Sequence, residues 1–438
     1  AYRMRGHNGN EYDNRELILS LVGARIRKAN ILGYKNSASF TLSDKMAENP
    51  QTVDAFLKGI MDAATVRAKQ EVKEMQRFMD EDIASGKLAK GSKIEQWDWW
   101  YYAEKVRRQK YDLDEDAVSK YFKAENVLNG VFMAAKMLYD VNVEKIEDVP
   151  SYNPQCVTTW KLTNNDGSLI GILTTDLFPR SSKRGGAWMN NIRNQYVDAN
   201  GNDIRPIIVN VGNLSEYMSI DDVLTTFHEF GHALHGLLSK CHYASVSGTN
   251  VKRDFVEMFS QFNENWAFQP ELLALYAKND AGEVIPQELV DKIRASSKFN
   301  QGFATVELTA ASILDMRWHE LTSVEGVDVD KFEAQVAEEI GLIPQITFRY
   351  QSTYFNHIFG GSGYDSGYYG YLWSEVLDKD AFSIFQNSPN GVWDKELALK
   401  FKQIFLERGG SEEPMTLYRE FAGREPQADA MLRSRGLE

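Results

Sequence analysis

The chain has 438 residues, 43% of them hydrophobic, with 49 Lys and Arg against 62 Asp and Glu, which gives a formal net charge of −13. That composition suits a folded chain with a sizeable core, and so acidic a surface opposes phosphate backbones and sets nucleic acid aside as a partner. No apolar run approaches the roughly 20 residues that cross a bilayer as a helix, so no membrane partner is expected.

The two cysteines, Cys156 and Cys241, lie outside any Cys-x-x-Cys pattern and read as free thiols. The chain opens Ala1-Tyr2-Arg3-Met4-Arg5, with neither an initiator Met nor an apolar signal core, so the true start is expected to be missing or processed away. Cytoplasm is the first expectation for the compartment and periplasm the second.

From Asp13 to about Asp140 the chain reads as successive helices, with a long charged one around Asp54 to Asp82 and another through the aromatic patch Trp97 to Tyr102. Val157 to Leu162, a turn at Asn164-Asn165-Asp166-Gly167, and Leu169 to Leu173 predict a hairpin. Pro206 to Val211 predicts a further strand, so a small sheet occupies 156–213. From Ser219 helical periodicity returns and persists to the end, with breaks near Gly282, Gly326, Pro344, Gly360 to Gly363 and Gly409-Gly410. The fold expectation is mainly α with a small β-sheet. Residues 1–150 form a helical region, and 151–438 hold the sheet, helices over 219–268 and C-terminal helices with a tyrosine loop at 357–382.

Ser219 followed by Asp222 predicts a helix N-cap, after which Val223, Phe227, Phe230, Leu234 and Leu237 recur at helical spacing as one apolar stripe. On the side roughly opposite stand His228 and His232, one turn apart, in His228-Glu229-Phe230-Gly231-His232. Two imidazoles one turn apart suit zinc, which in catalytic sites takes three protein ligands and keeps one position for water, and Glu229 is the natural base beside that water. With only 7 His in the chain, such a pattern arises by chance in on the order of one chain in a hundred, so a third ligand is needed to support it.

The metzincin pattern requires Gly and His at positions held here by His235 and Leu238, and it fails. His235 shares the face of His228 and His232, but roughly 10 Å of helix rise separates the ends of that series, too far for one ion. It reads as packing or as support for a ligand. Glu257 remains, on a second predicted helix whose stripe Phe255, Phe259, Phe262 and Trp266 lies opposite Glu257, Gln261 and Glu264. Gln261 could orient a ligand; plain surface exposure is the alternative for Gln261 and Glu264. Tyr364, Tyr368 and Tyr371 stand at i, i+4 and i+7, a spacing open to two readings: a packed aromatic stripe, or hydroxyls that donate to a developing oxyanion from a segment made mobile by Gly360-Gly361-Ser362-Gly363. Arg349 could meet a peptide carboxylate or make a structural ion pair.

These residues resemble the thimet oligopeptidase and neurolysin family of zinc peptidases, in particular its bacterial dipeptidyl carboxypeptidases. The matching stretches are Thr226 to His235, Arg253 to Glu257, Lys183 to Trp188, and His357 to Gly361 running into Gly367 to Trp373. The resemblance implies one zinc ion held by His228, His232 and Glu257, with Glu229 activating water. It implies a zincin-like, two-lobed helical ellipsoid whose deep channel admits short peptides, with residues 1–150 forming part of its walls. In it His357 and Tyr371 are similar to transition-state donors, Tyr364 and Tyr368 to substrate contacts, and Ile207 to Val211 to a substrate-aligning strand.

Three departures accompany the match. Phe259 stands where the family commonly has Pro, Ser362 lengthens the glycine loop, and family members carry a long helical region ahead of what is seen here. The chain therefore resembles the catalytic part of a longer protein. The expected activity is release of dipeptides from free C-termini; the alternatives are an endo-acting oligopeptidase, or a fragment that binds zinc and peptide without turnover because its N-terminal region, a partner in the same protein, is absent.

Overall fold

The computed structural model describes residues 4–361 and 363–438, so the glycine-loop departure at Ser362 lies outside the described residues. The fold is mainly α with one small mixed sheet, as predicted. The chain divides into two compact units, one built from Ala1–Asp112, Ser296–Trp373 and Leu432–Glu438, the other from Leu113–Ala295 and Ser374–Met431.

The first unit is helical. Its longest helix, Pro50–Ala84, begins where Asn49 accepts the N–H of Thr52 and where Pro50 fills a position whose N–H has no helical partner. Val53, Leu57, Ile60, Ala64, Ala68, Met75 and Met79 recur along it as a buried stripe, and the helix packs against Gln301–Glu320. The buried Glu71 on the same helix accepts the N–H groups of Gly302 and Phe303 at 2.9 and 2.8 Å, capping a helix whose own Asn300 makes no side-chain cap. The aromatic patch is helical from Trp99, which is buried, while Trp97, Trp100 and Tyr101 are exposed.

The second unit holds the strands β1 (Asn142–Ile146), β2 (Thr158–Thr163), β3 (Leu169–Asp176), β4 (Trp188–Arg193), β5 (Tyr196–Val197), β6 (Asp203–Ile204) and β7 (Ile207–Val211). The predicted hairpin is β2 and β3, antiparallel, and the sheet order is β1-β2-β3-β7-β4, with β5 and β6 forming a separate ribbon. Besides the short β5 and β6, two strands of the main sheet escape the sequence pattern. β1 lies in the stretch read as helical, and β4 carries Asn190 and Asn191 at its centre; neither is well buried, so neither shows a clean apolar alternation.

The strand expected over Pro206 to Val211 is present as β7. β7 is interior, parallel to β3 on one side and antiparallel to β4 on the other. Its near-continuous apolar run Ile207-Ile208-Val209, buried on both faces from Ile208 onward, is that of an inner strand. The edge beside it is β4, whose Trp188 and Ile192 are exposed.

Candidate functional site

The motif helix, Ile220–Leu237, starts with a full capping box: Asp222 N–H donates to Ser219 Oγ at 3.1 Å and Ser219 N–H to the Asp222 carboxylate at 3.3 Å. Its stripe of Val223, Phe227, Phe230, Leu234 and Leu237 is buried as predicted, which fixes the rotation that leaves His228 and His232 on the other side. Two amides pin its middle: Asn210 of β7 donates to the Glu229 carbonyl at 2.8 Å, and Asn263 to the Phe227 carbonyl at 2.7 Å.

The second predicted helix is Arg253–Glu264, and its stripe packs into an aromatic core, with Phe262 stacked on Phe401 at 4.0 Å. The two helices meet at Gly231. A Cβ there would stand 2.7 Å from the Phe259 carbonyl oxygen and from Ser260 Cα, so only glycine lets the second helix come this near. Glycine inside the motif is thus what brings the backbone of residues 259 and 260, and with it Glu257, up to the histidines.

The result is a compact donor set. Glu257 Oε2 lies 3.2 Å from His228 Nε2 and 3.1 Å from His232 Nε2, and also accepts Ser260 Oγ–H at 3.1 Å. Among the described residues these three side chains form the one group of His, Cys, Asp and Glu whose potential ligand atoms all lie within 4.8 Å of each other. Two ligands bonded at about 2.05 Å to a tetrahedral centre stand about 3.3 Å apart, close to the separations observed. The donor chemistry, two imidazoles and one carboxylate, fits zinc.

Burial opposes charge on His228, but the carboxylates of Glu257 and Glu264 outweigh it and hold the imidazole pKa well above its usual value. Burial likewise opposes ionisation of Glu257, yet the charge of His232 and the hydrogen bonds from both histidines keep its carboxyl well below the ordinary range. A cation entering this set displaces protons, so its affinity falls as pH falls. Glu229 follows His228 directly. Burial raises its carboxyl pKa, His228 and His232 partly offsetting this, and its buried Oε2 has no hydrogen-bond partner among the described residues.

The orienting residue is Glu264. Its Oε1 lies 2.7 Å from His228 Nδ1, which directs Nε2 toward Glu257. From the sequence, Glu264 shares the polar face of Glu257 and Gln261, with surface exposure as the alternative for Gln261 and Glu264, and Gln261 is the candidate for the orienting role. The missed signal was antiparallel packing: if the second helix runs back along the first, Glu264 falls two turns beyond Glu257 and therefore opposite His228, one turn before His232.

His235 is packing, not a ligand. Its ring lies 3.8 Å from that of Phe259, it is fully buried, and neither ring nitrogen has a hydrogen-bond partner among the described residues. Burial, with His232 adding to it, pushes its pKa down to about 3, whereas an unfolded His titrates near about 6.5. Between those values the unfolded chain binds one more proton than the folded one, so stability is lost as pH falls through the window, by about 2 kcal/mol at about pH 5. Urea unfolding at about pH 7.5 and 5 should show His235→Phe losing about 2 kcal/mol less over this interval than the parent; equal acid sensitivity would refute a buried neutral imidazole.

The other predicted site residues lie in the first unit and cluster there. The His357 ring is 5.5 Å from Tyr364, 5.2 Å from Tyr368 and 6.4 Å from Tyr371, and Tyr364 stacks on Tyr371 at 5.5 Å. The spacing i, i+4, i+7 is not a helical stripe: the helix begins at Gly370, and residues 365–369 form turns that bring Tyr364 back over Tyr371. Tyr368 is buried, which pushes its hydroxyl pKa up. Arg349 stands beside this cluster, over the Tyr350 ring, with its Nε 3.8 Å from Glu307 Oε2.

Among the described residues no helix is long and apolar enough to cross a membrane, and both cysteines are free thiols, Cys156 exposed and Cys241 buried.

Comparison with known proteins adds to this geometry. The sequence profile of peptidase family M3 matches residues 1–437. The chain is 41% identical over 445 residues to dipeptidyl carboxypeptidase of Escherichia coli (strain K12), an alignment covering 99% of this chain and 63% of that protein. It is 34% identical over 443 residues to oligopeptidase A of the same strain, covering 99% and 64%. The chain thus spans just under two thirds of the length of these relatives. A Pyrococcus furiosus carboxypeptidase, solved in an apo-Mg form, matches with a TM-score of 0.55 at 12% identity, covering 100% of this chain and 76% of the other. PZ peptidase A with an inhibitor matches with a TM-score of 0.56 at 14% identity, covering 97% and 65%. At such identities these two structures speak for the fold alone.

Proposed function

As the chain belongs to peptidase family M3, which implies a catalytic metal, we propose that it is a zinc-dependent hydrolase of short peptides that releases dipeptides from free C-termini. One observation carries the reading: His228 Nε2 and His232 Nε2 converge on Glu257 Oε2, with Glu229 adjacent in the motif. In this reading His228, His232 and Glu257 hold one zinc ion. Bound there, zinc supplies Lewis-acid polarisation of the peptide carbonyl and a lowered pKa for water.

The chain's own groups do the rest. Glu229 accepts a proton from the attacking water and returns it to the leaving amide nitrogen, a task suited to a carboxyl whose pKa burial raises. Glu264 keeps His228 in the tautomer that presents Nε2. Peptide backbone pairs along the edge strand β4 rather than β7, giving sequence-tolerant binding. His357 and Tyr371 donate to the developing oxyanion, Tyr364 and Tyr368 contact substrate, and Arg349 receives the terminal carboxylate. Free thiols, one of them exposed, suit a reducing compartment and favour the cytoplasm over the periplasm.

Preference for C-terminal dipeptides rests on the 41% identity to a dipeptidyl carboxypeptidase. The test is metal analysis of the chain together with matched peptides bearing free or amidated C-termini, products weighed by mass spectrometry. The expected outcome is about one zinc per chain and sequential loss of dipeptides from the free form only. Equal cleavage of both forms would replace the exopeptidase with an internal-cutting oligopeptidase, and zinc binding with no product from either would leave a binding fragment.

A further inference from the structure

The tyrosine turn is held from below by a buried chain of groups that the reaction as proposed does not use. Asp315, on the helix Gln301–Glu320, has no exposed surface. Its Oδ1 accepts the N–H of Ser366 at 2.9 Å and its Oδ2 the N–H of Tyr368 at 3.0 Å, so one carboxylate grips the turn at two backbone points. One helical turn on, the fully buried His319 hydrogen-bonds through Nδ1 to the Asp315 main-chain carbonyl at 2.8 Å, with Asp315 Oδ1 also 2.8 Å from Nδ1, and its Nε2 lies 2.7 Å from Arg25 Nη1. A guanidinium can only donate, so Nε2 accepts, the ring proton sits on Nδ1, and that proton is given to the Asp315 carbonyl with the carboxylate oxygen Oδ1 at the same distance. Arg25 also reaches the turn itself, with Nε 3.6 Å from Asp365 Oδ2.

The turn needs such a hold. Gly361 and Gly363 lie at φ 81° and 78°, and as glycines these two residues bring little stiffness of their own. Ser366, fully buried between the two gripped positions, sits at φ 57°, a left-handed conformation that a non-glycine residue keeps only when its surroundings impose it. Two amide-to-carboxylate bonds, charge-assisted and out of water, impose it here.

We propose that Asp315, oriented by His319 and Arg25, is the positioning residue that sets the conformation of the tyrosine turn and so places Tyr364 and Tyr371 for their work on the substrate. The kinetic part rests on the peptidase reading; the structural part does not. Asp315→Asn keeps the shape but turns one acceptor into a donor facing an amide N–H. Hydrogen exchange read by mass spectrometry should speed up at least about tenfold over residues 364–369, with the rest of the first unit unchanged. At unaltered metal content kcat should fall roughly 10- to 100-fold with KM within about threefold, short of the loss from deleting an oxyanion donor outright.

In a background of Tyr364→Phe with Tyr371→Phe, Asp315→Asn should cost less than about twofold, because the groups through which it acts are gone. His319→Gln, which still donates to Asp315 and accepts from Arg25, should retain most activity, and His319→Leu should resemble Asp315→Asn. A fall in kcat of equal size with and without the tyrosine hydroxyls, or unchanged exchange over 364–369, overturns the proposal. A parent chain that turns over no peptide would count against the peptidase reading, and the exchange measurement would then decide the anchor by itself.

Discussion

Replacing Glu229 by Gln is expected to leave the metal in place and lower kcat by roughly 10² to 10⁴-fold, the range that a positioned general base contributes. Gln has the same volume, and because Oε2 of Glu229 has no hydrogen-bond partner among the described residues, no protein contact at that atom is broken. The backbone is secured independently, by Asn210 on the Glu229 carbonyl, so the helix keeps its place. What disappears is the ability to take a proton. Zinc per chain, measured beside turnover of a short peptide, separates the causes: about one ion with lost turnover supports the proton role, lost metal moves the fault to ligation, and unaltered turnover removes Glu229 from the chemistry.

Those features that repeat locally were legible in the sequence. The capping box at Ser219 and Asp222, the stripe from Val223 to Leu237, and the stripe from Phe255 to Trp266 each declare themselves within a few turns, and together they aim His228, His232 and Glu257 at one point. The hairpin of β2 and β3 was legible for the same reason, since its turn residues lie between its strands. The position of β7 was not. Its run of Ile207 to Val211 announces a strand, but its place between β3 and β4 is decided by pairing with chain far away in sequence.

The same limit hid the work of two carboxylates. Glu264 shares a face with Glu257 but has no readable task until the second helix is laid antiparallel to the first and its Oε1 meets His228 Nδ1. Asp315 reads as one acid in a helix until the turn carrying Ser366 and Tyr368 folds onto it. The tyrosines misled in the opposite sense: their spacing imitates a helix that in fact begins only at Gly370, because three aromatic rings can share a face through a closed turn as well as through helical phase.

Glu257→Gln is the second large effect, and it falls on the metal rather than on the proton. The Glu257 side chain is buried, and the charge of His232 together with the hydrogen bonds from His228 and His232 keeps its carboxyl pKa well below the ordinary range. Its charge is the one full negative charge that the proposed ligand set offers a divalent cation. Gln preserves the volume and one oxygen near Ser260 Oγ, so the helix should fold, but a neutral amide is a poor substitute for a carboxylate in a low-dielectric site. Chelator competition should show zinc affinity falling by more than the roughly 10- to 100-fold typical of losing an outer partner. Glu264→Gln, which disturbs only the orientation of His228, should stay within that range, and Glu229→Gln should not move affinity appreciably. The ordering Glu257 over Glu264 over Glu229 follows from whether each carboxylate binds the ion, aims a ligand, or handles a proton. If Glu257→Gln and Glu264→Gln cost the same, the second helix would be supplying charge to the site without a specific ligand, and the three-residue ligand set would have to be redrawn.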